Sequence, residues 1–245
     1  MNIKKFENLE DAGRFLAGNV VIAAEKAITE RGFFTLVLSG GRSPQPFMRL
    51  LASSEFHRRI EWRNVLIFFG DERAVPQDSE QSNYKSAYDA FLSKVSSLPK
   101  GNIFRMKGEQ GASAAAADYE QVLHNFAVLH NGFLKGAFPR FDFVLLGLGP
   151  DGHTASLFPG TDALEENDKW AVPAPAPPLK PRVERITLTF PVLNNASKIV
   201  LLTTREGKAN IIDAIMENRQ AAEPVYPAAR AVPTNGELIW CISDR

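Results

Sequence analysis

Residues 141–160, FDFVLLGLGPDGHTASLFPG, constrain the fold of this chain more than any other segment. The apolar run 143–146 is short enough to be a buried strand. Three glycines follow, which permit a tight turn and a close approach of the backbone to a ligand: Gly147, Gly149 and Gly152. His153 therefore stands at the carboxyl end of a predicted strand, where open α/β sheets bind ligands. Since imidazole transfers protons near neutral pH, His153 is a candidate catalytic group.

The spacing of these glycines matches the dinucleotide fingerprint G-x-G-x-x-G, but the rest of that signature is missing. Pro159 and Gly160 leave room for only about two helical turns of ~3.6 residues each. No second strand ending in a ribose-binding acid follows. We therefore do not expect a nicotinamide site, and a histidine that merely stabilises a turn stays open beside a catalytic one.

The size and charge of the chain exclude several classes of protein. The 245 residues suffice for a large α/β domain. Lys plus Arg and Asp plus Glu both number 28, which gives no support for broad nucleic-acid or membrane binding. The single cysteine, Cys241, excludes an intramolecular disulfide and a cysteine metal cluster. No apolar run approaches the ~20 residues of a membrane span, and the first residues lack the apolar core of a signal peptide, so we expect a cytoplasmic protein.

Helical and strand periodicities alternate along the chain. A first helix is predicted between a cap at Asn8 and a terminator at Gly32. Further helices are predicted near Pro44, from Ser82, over 113–129 and through 206–216. Strands are predicted over 33–38, 65–69, 102–106 (a short edge strand), 143–146, 185–190, 198–203 and 237–242. The proline-rich segment 170–181 is expected to be an extended cover, and the alternation predicts a mainly parallel sheet covered by helices.

The predicted strand 33–38 runs directly into SGGRSP, residues 39–44. The small residues Ser39, Gly40 and Gly41 expose backbone N–H groups ahead of a helix, and Arg42 adds a positive charge, so we favour an anion site over a simple turn. It is not a P-loop, because no G-K-[ST] closes it. Lys208 opens a later predicted helix, where a positive charge is unfavourable unless it meets an anion.

Charged residues also follow the predicted strand 65–69. Asp71, Glu72 and Arg73 at a strand end are costly unless they are solvated, paired or used in a site. A solvated turn and a cleft-lining segment are both open. His57, His124 and His130 lack a comparable neighbourhood, and we treat them as surface or structural residues.

An ordered set of motifs resembles the 6-phosphogluconolactonase family of the pentose phosphate pathway. Each motif alone is weak, but their order over nearly the whole chain is specific. The motifs are SGGRSP (39–44), GDER (70–73), SNY (82–84), LGLGPDGHTASLFP (146–159), RITLTFP (185–191), LN (193–194), GKA (207–209) and PAARAV (227–232).

The resemblance implies a single α/β domain over residues 1–245, Rossmann-like and related to glucosamine-6-phosphate deaminase, with helices on both faces of the sheet. It implies a sugar-phosphate lactone as substrate, no metal and no organic cofactor. It further implies His153 as the catalytic base, charges gathered for phosphate and carboxylate-like oxygens at Arg42, Arg185 and Lys208, and Asp71 and Arg73 in the same cleft. Substrate contacts are also expected at the small and turn residues Ser39, Gly40, Gly41, Gly149, Asp151 and Gly152.

The chemistry of an activated ester fits these residues. Neutral His153 takes a proton from water as the water attacks C1 of the lactone, and then protonates the departing ring oxygen. The amides of a glycine turn, or Arg73, are expected to stabilise the oxyanion, and Asp151 to orient the turn or the imidazole. No G-x-S-x-G elbow indicates an acyl-enzyme.

Two other functions stay open. An amino-sugar-phosphate deaminase or isomerase would use Asp71 and His153, but that group often carries a tyrosine where Arg73 stands. A non-catalytic sugar-phosphate sensor usually carries a DNA-binding appendage, and the first predicted helix begins too early for one. We expect a monomer or a weak homo-oligomer with no nucleic-acid or membrane partner.

Overall fold

The structure is a computed structural model that describes residues 2–130, 138–178 and 180–245. Its strands are β1 (Asn2–Phe6), β2 (Phe34–Leu38), β3 (Val65–Phe69), β4 (Asp71–Arg73), β5 (Phe143–Gly147), β6 (Ala171–Ala174), β7 (Arg185–Leu188), β8 (Lys198–Thr204) and β9 (Glu237–Ser243). Its α-helices are α1 (Leu9–Arg31), α2 (Gln45–Leu51), α3 (Asn83–Ala90), α4 (Ala112–His130), α5 (Phe190–Asn194), α6 (Ala209–Glu217) and α7 (Arg219–Ala222).

Six strands form one parallel sheet in the order β1-β9-β8-β5-β2-β3. Since all six run in the same direction, the loops after their carboxyl ends gather at one edge of the sheet. Alternate side chains of the central strands enter two separate cores, as Val37 and Leu36 do on the two faces. Helices α1, α2 and α3 cover one face and α4 to α7 the other, which confirms the predicted α/β fold.

Helix α1 begins and ends at the residues that the sequence predicts. The Asn8 side chain accepts a hydrogen bond from the main-chain N–H of Asp11 at 2.9 Å. Gly32 ends the helix with a φ of 85°, a left-handed conformation that favours glycine. The strand predicted over 65–69 is confirmed as β3.

The structure differs from the sequence analysis at four places. Strand β1 was not predicted, because its mostly exposed, lysine-containing sequence lacks apolar alternation. Residues 102–106 form no strand, and only Ile103 bridges to Ile67. Part of the proline-rich cover is strand β6.

The fourth difference is the charged segment after β3, for which a solvated turn and a cleft-lining segment were both open. It is strand β4 of a second, antiparallel sheet in the order β4-β7-β6, and not a solvated turn. Asp71 and Glu72 are buried there.

Among the described residues, no helix is long and apolar enough to cross a bilayer.

Candidate active site

A cleft of about 790 Å³ opens at the carboxyl edge of the parallel sheet. The loops after β2, β5 and β8 and one end of the small sheet form its walls. Ten of the predicted site residues line it: Ser39, Gly40, Gly41, Arg42, Asp71, Arg73, Gly149, His153, Arg185 and Lys208. Asp151 and Gly152 lie in the turn that carries His153. The structure thus brings together residues that are up to 169 positions apart in the sequence, from Ser39 to Lys208.

The turn after β5 fixes the position of His153. The main-chain N–H of Gly149 donates to the His153 carbonyl at 2.8 Å, and that of Gly152 donates to the Gly149 carbonyl at 3.1 Å. A Cβ on residue 149 would lie 2.1 Å from the imidazole ring, so only glycine fits there. Phe158 packs against the imidazole at 4.6 Å between ring centroids. The imidazole is therefore held on two sides.

Asp151 determines which imidazole nitrogen faces the cleft. Its Oδ1 lies 2.5 Å from Nδ1 of His153 and also accepts the His153 main-chain N–H at 3.2 Å. Burial raises the pKa of Asp151, but the hydrogen bond and charge of His153 outweigh burial and hold that pKa below its usual value. An ionised carboxylate only accepts, so Nδ1 carries the proton and Nε2 keeps its lone pair for the cleft.

Three amides of the same turn are already used. The N–H groups of Gly149, Gly152 and His153 all donate within the turn. The sequence analysis left two kinds of oxyanion donor open, the amides of a glycine turn and Arg73. These three amides already have acceptors. Arg73 is the donor that stays available.

The loop of residues 40–43 presents free amides to the cleft. Within the part of the chain that the structure describes, the N–H groups of Gly40, Gly41, Arg42 and Ser43 have no hydrogen-bond acceptor. Successive amides in a turn form an anion-binding concavity. A φ of 93° at Gly41 shapes the loop.

Lys208 adds positive charge to the same part of the cleft. Its Nζ donates to Thr203 Oγ1 at 3.3 Å. Burial, and then the charge of Arg42, lower the pKa of Lys208. No carboxylate of a described residue forms a salt bridge with either cation. This pair of positive charges favours a dianionic ligand such as a phosphate monoester.

Two arginines from neighbouring strands form a second positive region. Arg73 and Arg185 are register partners in β4 and β7. Arg185 is 5% exposed and donates to the carbonyls of Pro181 at 3.0 Å and Val183 at 3.1 Å. Burial, and then the charge of Arg73, lower the pKa of Arg185 to about 10, so it stays protonated at neutral pH. Buried cations of this kind are stabilised by ligand oxygens.

Asp71 lies between the walls of the cleft with both carboxylate oxygens already hydrogen-bonded. Its Oδ2 accepts from Ser156 Oγ at 2.7 Å and its Oδ1 from Asn83 Nδ2 at 3.1 Å. Sequence reasoning missed Asn83 and Ser156, although both occur in the motifs of the family resemblance. Their position in those motifs is the one sequence signal that could have identified them. Neither has a partner nearby in the sequence that reveals its role.

Glu72 does not line the cleft, and it binds the start of α3. Its carboxylate accepts from the amides of Arg73, Asn83 and Tyr84 and from the Ser82 hydroxyl, at 2.7–2.9 Å. Burial raises the pKa of Glu72, and these hydrogen bonds oppose the shift. Glu72 therefore anchors the start of α3, and with it Asn83, against β4.

Two of the other histidines, His57 and His124, lie outside this cleft. His124 stacks on Trp170 at 3.9 Å between ring centroids, and the His57 carbonyl accepts the indole N–H of Trp62 at 2.9 Å. The side chain of His130 lies outside the described residues. Among the side chains that the structure describes, no group of three or more His, Cys, Asp or Glu is arranged to hold a metal ion.

Several known proteins are similar to this chain in sequence and in fold. Residues 7–240 match the family described as glucosamine-6-phosphate isomerases/6-phosphogluconolactonase. A relative from Oryza sativa subsp. indica, named probable 6-phosphogluconolactonase 4, chloroplastic, is 41% identical over 96% of this chain and 72% of its own length. The crystal structure of devB protein superimposes with a TM-score of 0.86 at 33% identity, over 99% of this chain and 96% of that one. The structure of 6-phosphogluconolactonase from Trypanosoma brucei gives a TM-score of 0.84 at 27% identity, over 98% of this chain and 94% of that one.

Proposed function

The chain belongs to the glucosamine-6-phosphate isomerase/6-phosphogluconolactonase family, and from that premise we propose that it hydrolyses 6-phospho-D-glucono-1,5-lactone to 6-phospho-D-gluconate. This is the lactone-opening step of the oxidative pentose phosphate pathway. The observation that carries the proposal is the Asp151–His153 pair in the same cleft as four cations without carboxylate salt bridges. The cations, from the described residues, are Arg42, Arg73, Arg185 and Lys208.

The phosphate end of the substrate binds at loop 39–43. The amides of Gly40 and Gly41 donate to the phosphate oxygens, and Arg42 and Lys208 balance the charge. The Ser39 hydroxyl borders the same position. This end of the cleft supports recognition of a phosphate ester and fixes one end of the substrate.

His153 acts at the other end as a general base. Its Nε2 takes a proton from a water molecule while the water oxygen attacks C1 of the lactone. The Asp151 carboxylate stabilises the imidazolium that forms. The C1–O5 bond then breaks and Nε2 returns the proton to O5. The carboxylic acid that forms loses its proton to solvent, and the product leaves as a carboxylate.

Arg73 stabilises the negative charge that develops on the lactone carbonyl oxygen. Its Nη1 donates to the Gln81 carbonyl at 2.8 Å, while its buried Nε has no partner among the described residues. Arg185 adds its charge from the neighbouring strand. Such fixed donors act most strongly where water is excluded.

Asp71 is less suited to be the base than His153. Both of its carboxylate oxygens already accept hydrogen bonds within the protein, Oδ1 from Asn83 and Oδ2 from Ser156. This contact pattern favours a lactonase over a deaminase or isomerase that needs a carboxylate base. Gly149 and Gly152 serve by shaping the turn of His153.

The experiment that tests the function is a coupled assay with freshly made 6-phosphoglucono-δ-lactone, run beside glucosamine 6-phosphate. We expect lactone hydrolysis well above the spontaneous rate and no ammonia from the amino sugar. Turnover of glucosamine 6-phosphate alone would assign the chain to the other branch of the family.

We further propose a cytoplasmic monomer or weak homo-oligomer. The free, fully buried thiol of Cys241 is compatible with a reducing compartment. The Oryza sativa relative is named chloroplastic. Cell fractionation with an antibody to the protein tests the compartment, and light scattering at several concentrations tests the assembly.

A further inference from the structure

Asn83 occupies a buried position with an orientation that its contacts define. It is 2% exposed, and its Nδ2 donates to the carbonyl of Asp71 at 2.9 Å and to Asp71 Oδ1 at 3.1 Å. A flipped amide would point its oxygen at these two acceptors, so Oδ1 is the atom on the far side. Among the described residues, this Oδ1 has no hydrogen-bond partner.

The free oxygen of Asn83 packs against the loop of residues 40–43, called the anion loop below. A Cβ built on Gly40 would lie only 1.7 Å from Asn83 Oδ1 and 2.2 Å from its Cγ. The amide of Asn83 therefore fills the space that any other residue at position 40 needs. Contact with the Asn83 amide therefore fixes the position of that loop in the cleft. The same loop carries the N–H groups of 40–43 that are free for an anion.

Further contacts connect Asn83, through Asp71, to Ser156, which lies three residues after His153. Asp71, which receives the Asn83 amide, also receives the hydroxyl of Ser156 at 2.7 Å. Ser156 follows Ala155, a non-glycine residue with a φ of 49°. Such a conformation persists only where surrounding contacts hold it, and the Ser156 hydrogen bond is one of them.

We infer that Asn83 is a positioning residue that, through Asp71 and Ser156, fixes the distance between the anion loop and His153. The inference rests on the proposed function, because that distance matters when one substrate spans both ends. The three side chains are all 6% exposed or less. They form a buried bridge across the floor of the cleft, and Asn83 is its link to Gly40.

Loss of the bridge affects turnover more than anion binding. The free amides of 40–43 and Lys208 still hold a phosphate when Asn83 is shortened. The lactone carbon, however, is no longer held at a fixed distance from the imidazole. A displacement of about 1 Å from reactive geometry lowers rates by roughly 10²-fold.

The test compares Asn83→Ala with Asn102→Ala. Asn102 also donates its amide to two carbonyls, those of Arg63 and Val65, both at 3.0 Å, and it lies outside the cleft. We expect Asn83→Ala to lower kcat by about 10- to 100-fold, with the Kd for inorganic phosphate changed less than about threefold. Asn102→Ala should lose thermal stability and keep its kcat. Equal kcat in both variants, or a parallel loss of kcat and phosphate affinity in Asn83→Ala, would overturn the inference.

A second experiment tests the contact between Asn83 and Gly40 without the lactone. Calorimetry with inorganic phosphate compares Gly40→Ala with the double variant Gly40→Ala/Asn83→Ala. We expect Gly40→Ala to weaken phosphate binding at least tenfold and the double variant to regain most of it, because removal of the amide makes room for the Cβ. No recovery in a folded double variant would contradict the positioning role. If the two variants show this pattern while wild type has no lactonase activity, the proposed function fails and the positioning of the loop stands.

Discussion

The Asp151 carboxylate contacts His153 at two points, at 2.5 Å from Nδ1 and at 3.2 Å from the main-chain nitrogen. Both contacts use the same oxygen, Oδ1, so the ring and the backbone of His153 are held by one group. Because the carboxylate is only an acceptor, it fixes the tautomer with Nε2 unprotonated. The proposed mechanism requires that tautomer.

Asp151→Asn is expected to lower kcat by about 10²-fold or more. An amide at this position no longer stabilises the imidazolium, and it presents a donor as readily as an acceptor to Nδ1. Steady-state kinetics on the lactone measure the change. The exposed Asp168, which lies outside the cleft, supplies the matched control Asp168→Asn. An Asp151→Asn variant as active as that control would remove Asp151 from the mechanism.

The lowered pKa of Asp151 predicts a pH-dependent contribution to stability. A carboxyl whose pKa is lower in the folded state stabilises the fold above its unfolded pKa of about 3.9, and the contribution is lost as pH falls through the folded value. We expect the difference in Tm between wild type and Asp151→Asn to be larger at pH 6 than at a pH below the folded pKa of Asp151. Scanning calorimetry at both pH values measures the difference. A gap that widens in acid would give the shift the opposite sign.

Lys208→Ala is expected to raise KM and weaken product binding by about 10- to 100-fold, the effect of losing a charged contact of roughly 1.5–3 kcal/mol. Calorimetry with 6-phosphogluconate measures the affinity. Lys198→Ala is the control, because Lys198 pairs with Glu237 at 2.9 Å, at the strand ends opposite to the cleft. Unchanged product affinity in Lys208→Ala would exclude that residue from the anion site.

Exhaustive chelation is expected to leave activity intact. In the proposed mechanism His153 activates the water, and Arg73 and Arg185 stabilise the charge, so each step has a protein group. Activity is measured after dialysis against a chelator and again after single divalent ions are added. Activity that is lost and then restored by one ion alone would replace this mechanism with a metal-assisted one.

The sequence predicts the elements with strong local signals. Helix α1 has its cap at Asn8 and its terminator at Gly32, and strand β3 is a continuous apolar run. Both signals lie within the element itself. The same holds for the glycine-shaped turn of His153, where the need for glycine arises from a side chain four residues away.

Long-range contacts explain most of what the sequence does not predict. Asp71 and Glu72 are polar residues, yet β4 is buried because its partners come from α3, from Ser156 and from strand β7. Ser156 is 85 residues from Asp71, and no local pattern reports such a pair. Asn83 was likewise missed as a site residue, since only the folded chain places its amide against Gly40.

The central claim is that His153 is the general base, and His153→Ala tests it. General acid–base catalysis supplies about 10²–10⁴-fold, so kcat above the spontaneous rate should fall by that factor. His124→Ala, at a histidine outside the cleft, is the control and should stay near wild type.

The decisive measurement is the initial rate of lactone hydrolysis by folded His153→Ala, corrected for spontaneous opening, beside wild type. We predict a loss of two to four orders of magnitude with the fold unchanged, in accord with the ~10²–10⁴-fold range of general acid–base catalysis. A folded His153→Ala protein with near-full activity would contradict the account, make the histidine structural and move the base to Asp71.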